Sequence, residues 1–185
     1  MWPAFAVIAA VISVPILYVI LTYNTLIALR NHIRDAWGNI DAELKRRYDL
    51  IPNLVATVKG YAAHEREVLE RVTHLRAQCM AGQQSIQKQA DESQLVDALQ
   101  KLLAVVENYP QLKADQNFLK LQQELTNTED RIQAARRFFN GNVRDYRNKC
   151  ETFPSSIIAG GFGFQPQDYF NIDPAVREVP RADLT

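Results

Sequence analysis

Hydrophobic and polar residues follow two regimes along this chain. From Trp2 to Tyr23 the sequence reads WPAFAVIAAVISVPILYVILTY without one charged side chain, whereas beyond Tyr23 apolar positions recur at alternating threes and fours among charged ones. As a helix rising about 1.5 Å per residue, the first run is just long enough to cross a hydrocarbon core of about 30 Å. Pro3 lies in its first turn, where a missing N–H is harmless, and Pro15 lies inside, where it is expected to bend the helix in lipid without breaking it. Trp2, Tyr18 and Tyr23 stand where aromatic rings favour the membrane interfaces. A cleaved signal peptide would need a basic leader, a shorter apolar run and small residues at the cut. Only Met1 precedes this run, which passes directly into helical periodicity, so a retained anchor over residues 1–23 is expected.

Behind the anchor, Leu26, Ile33, Trp37, Ile40 and Leu44 share one helical stripe, and no glycine or proline separates them from the apolar run. One helix is therefore expected from the membrane to about Tyr48. Asp49 then reads as an N-cap and Pro52 as a first-turn proline, predicting a sharp hairpin into a second helix. That helix carries Leu54, Val55, Val58, Tyr61, Ala62, Val68, Leu69, Val72 and Leu75 and fades near Cys79. The glutamine-rich AGQQSIQKQ reads as a polar link, and Asp91 with Gln94 as a capping box opening a third helix. Leu95, Leu99, Leu102, Val106 and Tyr109 form the stripe of that helix, and Pro110 stops it.

A fourth helix follows a cap at Asp115. Phe118, Leu121, Leu125, Thr128, Ile132, Ala135, Phe139, Asn142 and Tyr146 keep a heptad spacing interrupted only by Gly141, where another helix has room to approach. Four such segments specify an all-α fold. The expectation is a single transmembrane helix continuous with an up-down-up-down four-helix bundle over 24–152, then an irregular Gly/Pro/aromatic tail over 153–185. In that topology the fourth helix ends near the bilayer. The tail residues Ile157, Ile158, Phe162, Phe164, Tyr169 and Phe170 would then dock on the base of the bundle or dip into the headgroups, since glycine and proline argue against a regular helix there.

Composition narrows the function. Lys plus Arg and Asp plus Glu each number 21, with no long run of one sign, which excludes the basic footprint of a nucleic-acid binder. Arg30, Arg34, Lys45, Arg46 and Arg47 all follow the apolar run, so the positive-inside rule places the N-terminus outside and the C-terminal domain in the cytoplasm, on a cell (inner) membrane crossed once. Cys79 and Cys150 lack the spacing of a zinc site or redox pair and read as free thiols whose oxidation state is open. Lys45, Arg46 and Arg47 suit either an acidic partner or the dipole at a helix C-terminus.

Catalytic patterns are missing. His64 and Glu65 begin HEREV, but no second histidine follows four residues after His64, and Glu70 is followed three residues on by Thr73 and not by the histidine of a di-metal bundle. GGFGF follows the last helix and opens none, so it is no phosphate cradle, and no serine or cysteine sits in a nucleophile motif. No catalytic, cofactor or metal residue is nominated, no cofactor is expected, and the chain reads as a non-enzyme.

Several stretches carry a resemblance: Tyr23-Asn24, Arg30-Asn31, Ala36-Trp37, Asn39-Ile40-Asp41, LKRRYDLIPNLV from Leu44 to Val55, VKGYA from Val58 to Ala62, and His64-Glu65. It continues through ENYPQLKA from Glu107 to Ala114, Asn117-Phe118, TEDRI from Thr128 to Ile132, Ala135-Arg136 and Phe139-Asn140. With these the chain resembles the LemA family over nearly its whole length behind the anchor. Two positions depart from the pattern: Phe139 where tyrosine is usual, and Arg147 where asparagine often follows Tyr146. The resemblance implies a transmembrane helix with its terminus outside, a four-helix-bundle domain and no assigned catalytic residue. Members of that family are often encoded beside membrane-bound zinc metalloproteases of the heat-shock type and have relatives among membrane-organelle proteins, so the resemblance implies a part in membrane-protein quality control or membrane organisation. The expected role is a membrane-tethered interaction or assembly scaffold that recruits a partner or further copies of itself. The rivals are an accessory subunit of a membrane protease and a self-assembling organiser of membranes.

Overall fold

A computed structural model describes residues 2–81 and 86–170, with side chains described over 11–81 and 90–170. The ring of Trp2, the middle of the glutamine-rich link and the tail beyond 170 lie outside the described residues. Among those described, every regular element is a helix. The elements are α1 (Trp2–Tyr61), α2 (Arg66–Ala81), α3 (Ile86–Val106), α4 (Pro110–Lys113), α5 (Gln116–Glu151) and α6 (Ser155–Gly161).

The chain packs as two compact units, Met1–Asn39 with Ala135–Thr185, and Ile40–Ala134; α1 and α5 contribute to both. In the second unit, Ile40, Leu44, Ile51, Leu54 and Val58 of α1 are buried, as are Leu69, Val72 and Leu75 of α2, Leu95, Leu99 and Leu102 of α3, and Phe118, Leu125 and Ile132 of α5. Parts of all four long helices thus supply one apolar core. At its edge the Tyr61 hydroxyl, at the end of α1, donates to Asp115, just before α5, at 3.1 Å. In the first unit the core is built from Leu26, Ile33 and Ala36 of α1, Phe139, Val143 and Tyr146 of α5, and Ile158, Phe164 and Phe170 of the C-terminal segment.

The expected hairpin at Asp49 and Pro52 does not form: α1 runs through both residues to Tyr61. Proline costs a helix one hydrogen bond because it leaves the carbonyl four residues earlier without a donor. Here that carbonyl belongs to Tyr48, and the Arg76 Nε–H of α2 donates to it at 2.6 Å. The turn comes instead at Ala62–Glu65, so Leu54, Val55, Val58 and Tyr61 belong to α1 and not to the second helix. His64 and Glu65 lie in this turn, not on a helical face.

The third helix begins before the expected capping box. α3 starts at Ile86, which places Asp91 inside it and makes the second half of the glutamine-rich stretch helical, as suits the helix propensity of Gln and Lys. It ends at Val106, and Pro110 opens the short α4 from its first position, where the missing N–H costs nothing.

The reading of Asp115 agrees with the structure. Its Oδ1 accepts the N–H groups of Asn117 and Phe118, both at 2.9 Å, capping α5. Around Gly141 a methyl group would meet nothing within 4 Å, so no helix approaches closely there.

The tail is not irregular throughout, because Ser155–Gly161 folds as α6. Its glycines end the helix and do not prevent it. Gly163 adopts φ 73°, the Phe164 N–H donates to the Ala159 carbonyl at 2.9 Å and the Gly163 N–H to the Gly160 carbonyl at 3.3 Å. These are the paired closing bonds of a Schellman cap, with the left-handed position taken by the residue that has no Cβ.

Candidate functional site

Three arrangements stand out, each inside one unit. The first is ionic. Arg47 follows Ile40 and Leu44 on the apolar phase of α1 and is fully buried, so it cannot be the surface cation or dipole partner that its place in a basic triplet suggested. Its guanidinium bonds the Glu92 carboxylate of α3 through Nη2 and donates through Nη1 to Glu129 Oε2 of α5 at 2.8 Å. The Tyr48 hydroxyl donates to the other oxygen of Glu92. Glu92 is buried and Glu129 is one-third exposed. A buried guanidinium keeps its charge, so the cluster holds together only while both carboxylates face it.

Neighbouring groups are kept neutral. Burial first, and then the hydrogen bond to Glu92, push the Tyr48 hydroxyl far above its ordinary range. Burial, reinforced by the charge of Glu92, pushes the Cys79 thiol of α2 up to about 12. A thiol so raised is almost wholly protonated at neutral pH and is a poor nucleophile. The cluster therefore fixes the register of α1, α3 and α5 and offers no activated group. Along α1 and α2 runs an open groove of about 670 Å³ whose lining mixes Val55, Leu69 and Ala77 with Lys59, Arg66, Glu70 and His74. Among the described residues no group of three or more His, Cys, Asp or Glu side chains is arranged to hold a metal ion.

The second arrangement is aromatic and lies in the other unit. Trp37, Phe139 and Phe170 form a triangle with centroid separations of 5.4, 5.6 and 6.4 Å. Arg136 lies over the Phe170 ring at 4.7 Å, a cation–π contact. Asn140 clamps Phe170 by its backbone, its Oδ1 accepting the Phe170 N–H at 2.8 Å and its Nδ2 donating to the Phe170 carbonyl at 3.1 Å. Further along, Arg147 donates to the Gln167 carbonyl at 3.3 Å and covers the Tyr169 ring at 5.5 Å. Both departures from the family pattern thus have a place. The Phe139 ring packs among rings with no need of a hydroxyl, and Arg147 holds the C-terminal segment onto α5.

The third arrangement is a surface. Val11, Ile12, Val14, Ile16, Leu17, Ile20 and Leu21 of α1 are each more than half exposed, and the window they occupy is long and apolar enough to cross a membrane. An exposed face of this kind is costly in water and at no cost in hydrocarbon. At its end Tyr23 meets Phe162 and Phe164 edge-on at 5.0 and 5.6 Å, and Arg30 lies 5.5 Å from the Phe164 ring.

Sequence reasoning nominated no site residue and missed the ionic cluster. A signal was present: Arg47 shares the spacing of Ile40, Leu44, Ile51 and Leu54, and Glu92 that of Leu95, Leu99 and Leu102. A charge in phase with a buried stripe requires an opposite charge in phase with another.

An all-α chain with an uncovered apolar helix at one end defines a membrane-associated helical protein. The LemA family's sequence model matches residues 36–183. The chain belongs to the LemA family. It is 26% identical to Protein LemA of Metamycoplasma hominis, in a match covering 87% of this chain and 72% of that protein. It is also 24% identical to Magnetosome protein MamQ of Magnetospirillum gryphiswaldense and to Magnetosome protein MamQ 1 of Paramagnetospirillum magneticum, over 84% of this chain and 67% of each relative.

Proposed function

We propose that this protein is a non-enzymatic scaffold, tethered to the cell membrane by one crossing of α1 and recruiting either further copies of itself or another membrane protein. The observation that carries this reading is the contrast along α1. Its Val11–Leu21 stretch leaves large apolar side chains uncovered, while its Ile40–Val58 stretch buries one face in a core where Arg47 meets Glu92 and Glu129. The reactive side chains of that core are held protonated, which suits a body that binds and does not catalyse. Arg30, Arg34, Lys45 and Arg46 follow the apolar stretch and favour a cytoplasmic domain with the N-terminus outside.

A second reading, self-assembly that organises a membrane, is favoured by the similarity to magnetosome proteins. Extraction of the full chain in mild detergent followed by mass measurement separates the readings. A homo-oligomer supports assembly, a heteromeric complex with a membrane protease supports an accessory role, and a lone monomer overturns the scaffold. Reporter fusions at Thr185 that are active only outside the cytoplasm would reverse the orientation.

A further inference from the structure

The end of the apolar face on α1 is not the end of the uncovered apolar surface in its unit. Phe153 is 81% exposed, Ile157 67% and Phe162 57%, whereas Ile158, Ala159 and Phe164 of the same segment are buried. α6 thus packs Ile158 and Ala159 against the protein, while Ile157 and its two flanking phenylalanines, Phe153 and Phe162, face outward. A water-facing helix would carry polar residues there.

Two observations place this surface level with the end of the anchor. Trp37 touches Phe139, and Arg30, earlier on α1, acts on Tyr146, later on α5, so the two helices run in opposite directions from that contact. Phe153 follows Phe139 by as many residues as Tyr23 precedes Trp37, so at equal rise per residue the two arrive at the same height. The ring contact of Tyr23 with Phe162 fixes the far end of the segment at that height as well. Charge agrees: no charged side chain occurs from Thr152 to Gln167, nor from Trp2 to Ala28 on α1. The charge-free zone of the anchor therefore continues sideways across α6.

We propose that Phe153, Ile157 and Phe162 insert at the boundary between headgroups and acyl chains, making α6 and its flanks a second, non-spanning membrane contact beside α1. Of the charges in the last turns of α5, Arg147 and Glu151 pair with each other at 3.1 Å and Lys149 is the remaining cation, so the contact relies on apolar insertion and not on a basic patch for anionic lipid. It rests on α1 crossing the bilayer, and its test includes a position that reports on α1 alone.

The full chain is placed at one copy per nanodisc of phosphatidylcholine, with a nitroxide attached in turn through Phe153→Cys, Ile157→Cys, Phe162→Cys, Ile16→Cys and Arg144→Cys. Cys79 and Cys150 are buried and their thiols raised, so they compete poorly for the label. Collision rates with oxygen and with a water-soluble nickel chelate are then compared. The expected result is an oxygen-to-nickel ratio several-fold higher at 153, 157 and 162 than at 144, and highest at 16. Phe153 and Ile157, the more exposed pair, carry the test if substitution at 162 disturbs Tyr23. Ratios at 153 and 157 equal to that at 144, with 16 still in lipid, would overturn the proposal and leave the anchor intact. Shielding from both reagents that appears only in discs holding two copies, with dipolar broadening, would overturn it in favour of a face between copies. A water-exposed label at 16 would remove the anchor and this inference together.

Discussion

The two units of this chain are held by opposite chemistry. In Ile40–Ala134 the decisive contacts are charged and buried, a guanidinium between two carboxylates with a tyrosine hydroxyl on one of them. In the other unit they are rings, with cations lying over rings and one asparagine holding a backbone. A buried charge has an all-or-none character: complete, it fixes which helices meet, and one partner short, it is worse than an apolar core. Ring contacts are individually modest and strand no charge when one is lost, each contributing about 0.5–1.5 kcal/mol beyond its buried area. The ionic unit should therefore lose most from single substitutions, and the aromatic unit should fail by degrees.

The largest effect is expected at Arg47. Arg47→Met strands the buried carboxylate of Glu92 and should cost about 3–5 kcal/mol, read as a lower urea midpoint by far-ultraviolet circular dichroism of the full chain in mild detergent. Replacing the cluster together, Arg47→Met with Tyr48→Phe and Glu92→Leu, should recover most of that loss. If the combined variant is no more stable than the single one, all-or-none charge pairing is the wrong description.

Next comes the proline in α1. Arg76→Ala leaves the Tyr48 carbonyl without a donor and should cost about 1–3 kcal/mol. Pro52→Ala restores a helical N–H for that carbonyl, so it should cut the cost of Arg76→Ala sharply. Equal costs in the two backgrounds would show that Arg76 acts through something other than the freed carbonyl.

The aromatic unit should respond more gently. Asn140→Ala removes both bonds to the Phe170 backbone and should cost about 1–2 kcal/mol. Its signature is local: the Phe170 amide should exchange faster with solvent while amides around Ile132 keep their protection. Loss of protection in both places would erase the distinction between the units.

The smallest effect concerns the cap of α5. The Phe118 N–H, with help from the Tyr61 hydroxyl and the Asn117 N–H, holds the Asp115 carboxyl below the ordinary aspartate value of 3.8. A carboxyl depressed on folding contributes stability above its unfolded pKa and loses it as pH falls through its folded pKa. Asp115→Ala should therefore be slightly destabilising at neutral pH, and its difference from the native chain should narrow under acid below that value. A difference that stays constant through the acid range would mean the carboxylate charge is not what caps the helix.

How much could be read in advance depended on the range of the interaction. The apolar run to Tyr23, the heptad of α5 and the cap at Asp115 are local patterns, and each is a helix whose ends or faces follow from nearby residues. Pro52 defeated a local rule because its cost was met from α2, remote in sequence, by Arg76. Gly160, Gly161 and Gly163 looked like helix breakers, but a Schellman cap uses such glycine at the end of a short helix, and the buried side of α6 needed a partner surface that no local pattern displays. Arg47 showed its phase but not its partners, since Glu92 and Glu129 lie on other helices.

By itself the sequence determined that the chain is helical throughout its periodic stretches and that its first helix is too apolar for water, because helix periodicity and transfer free energy are properties of neighbouring residues. Tertiary structure alone decided where α1 ends, which charge is buried and which apolar side of α6 remains outside. Those outcomes depend on donors, counter-charges and covering side chains supplied by segments distant in sequence, and it is their meeting that fixes the cost of each local choice.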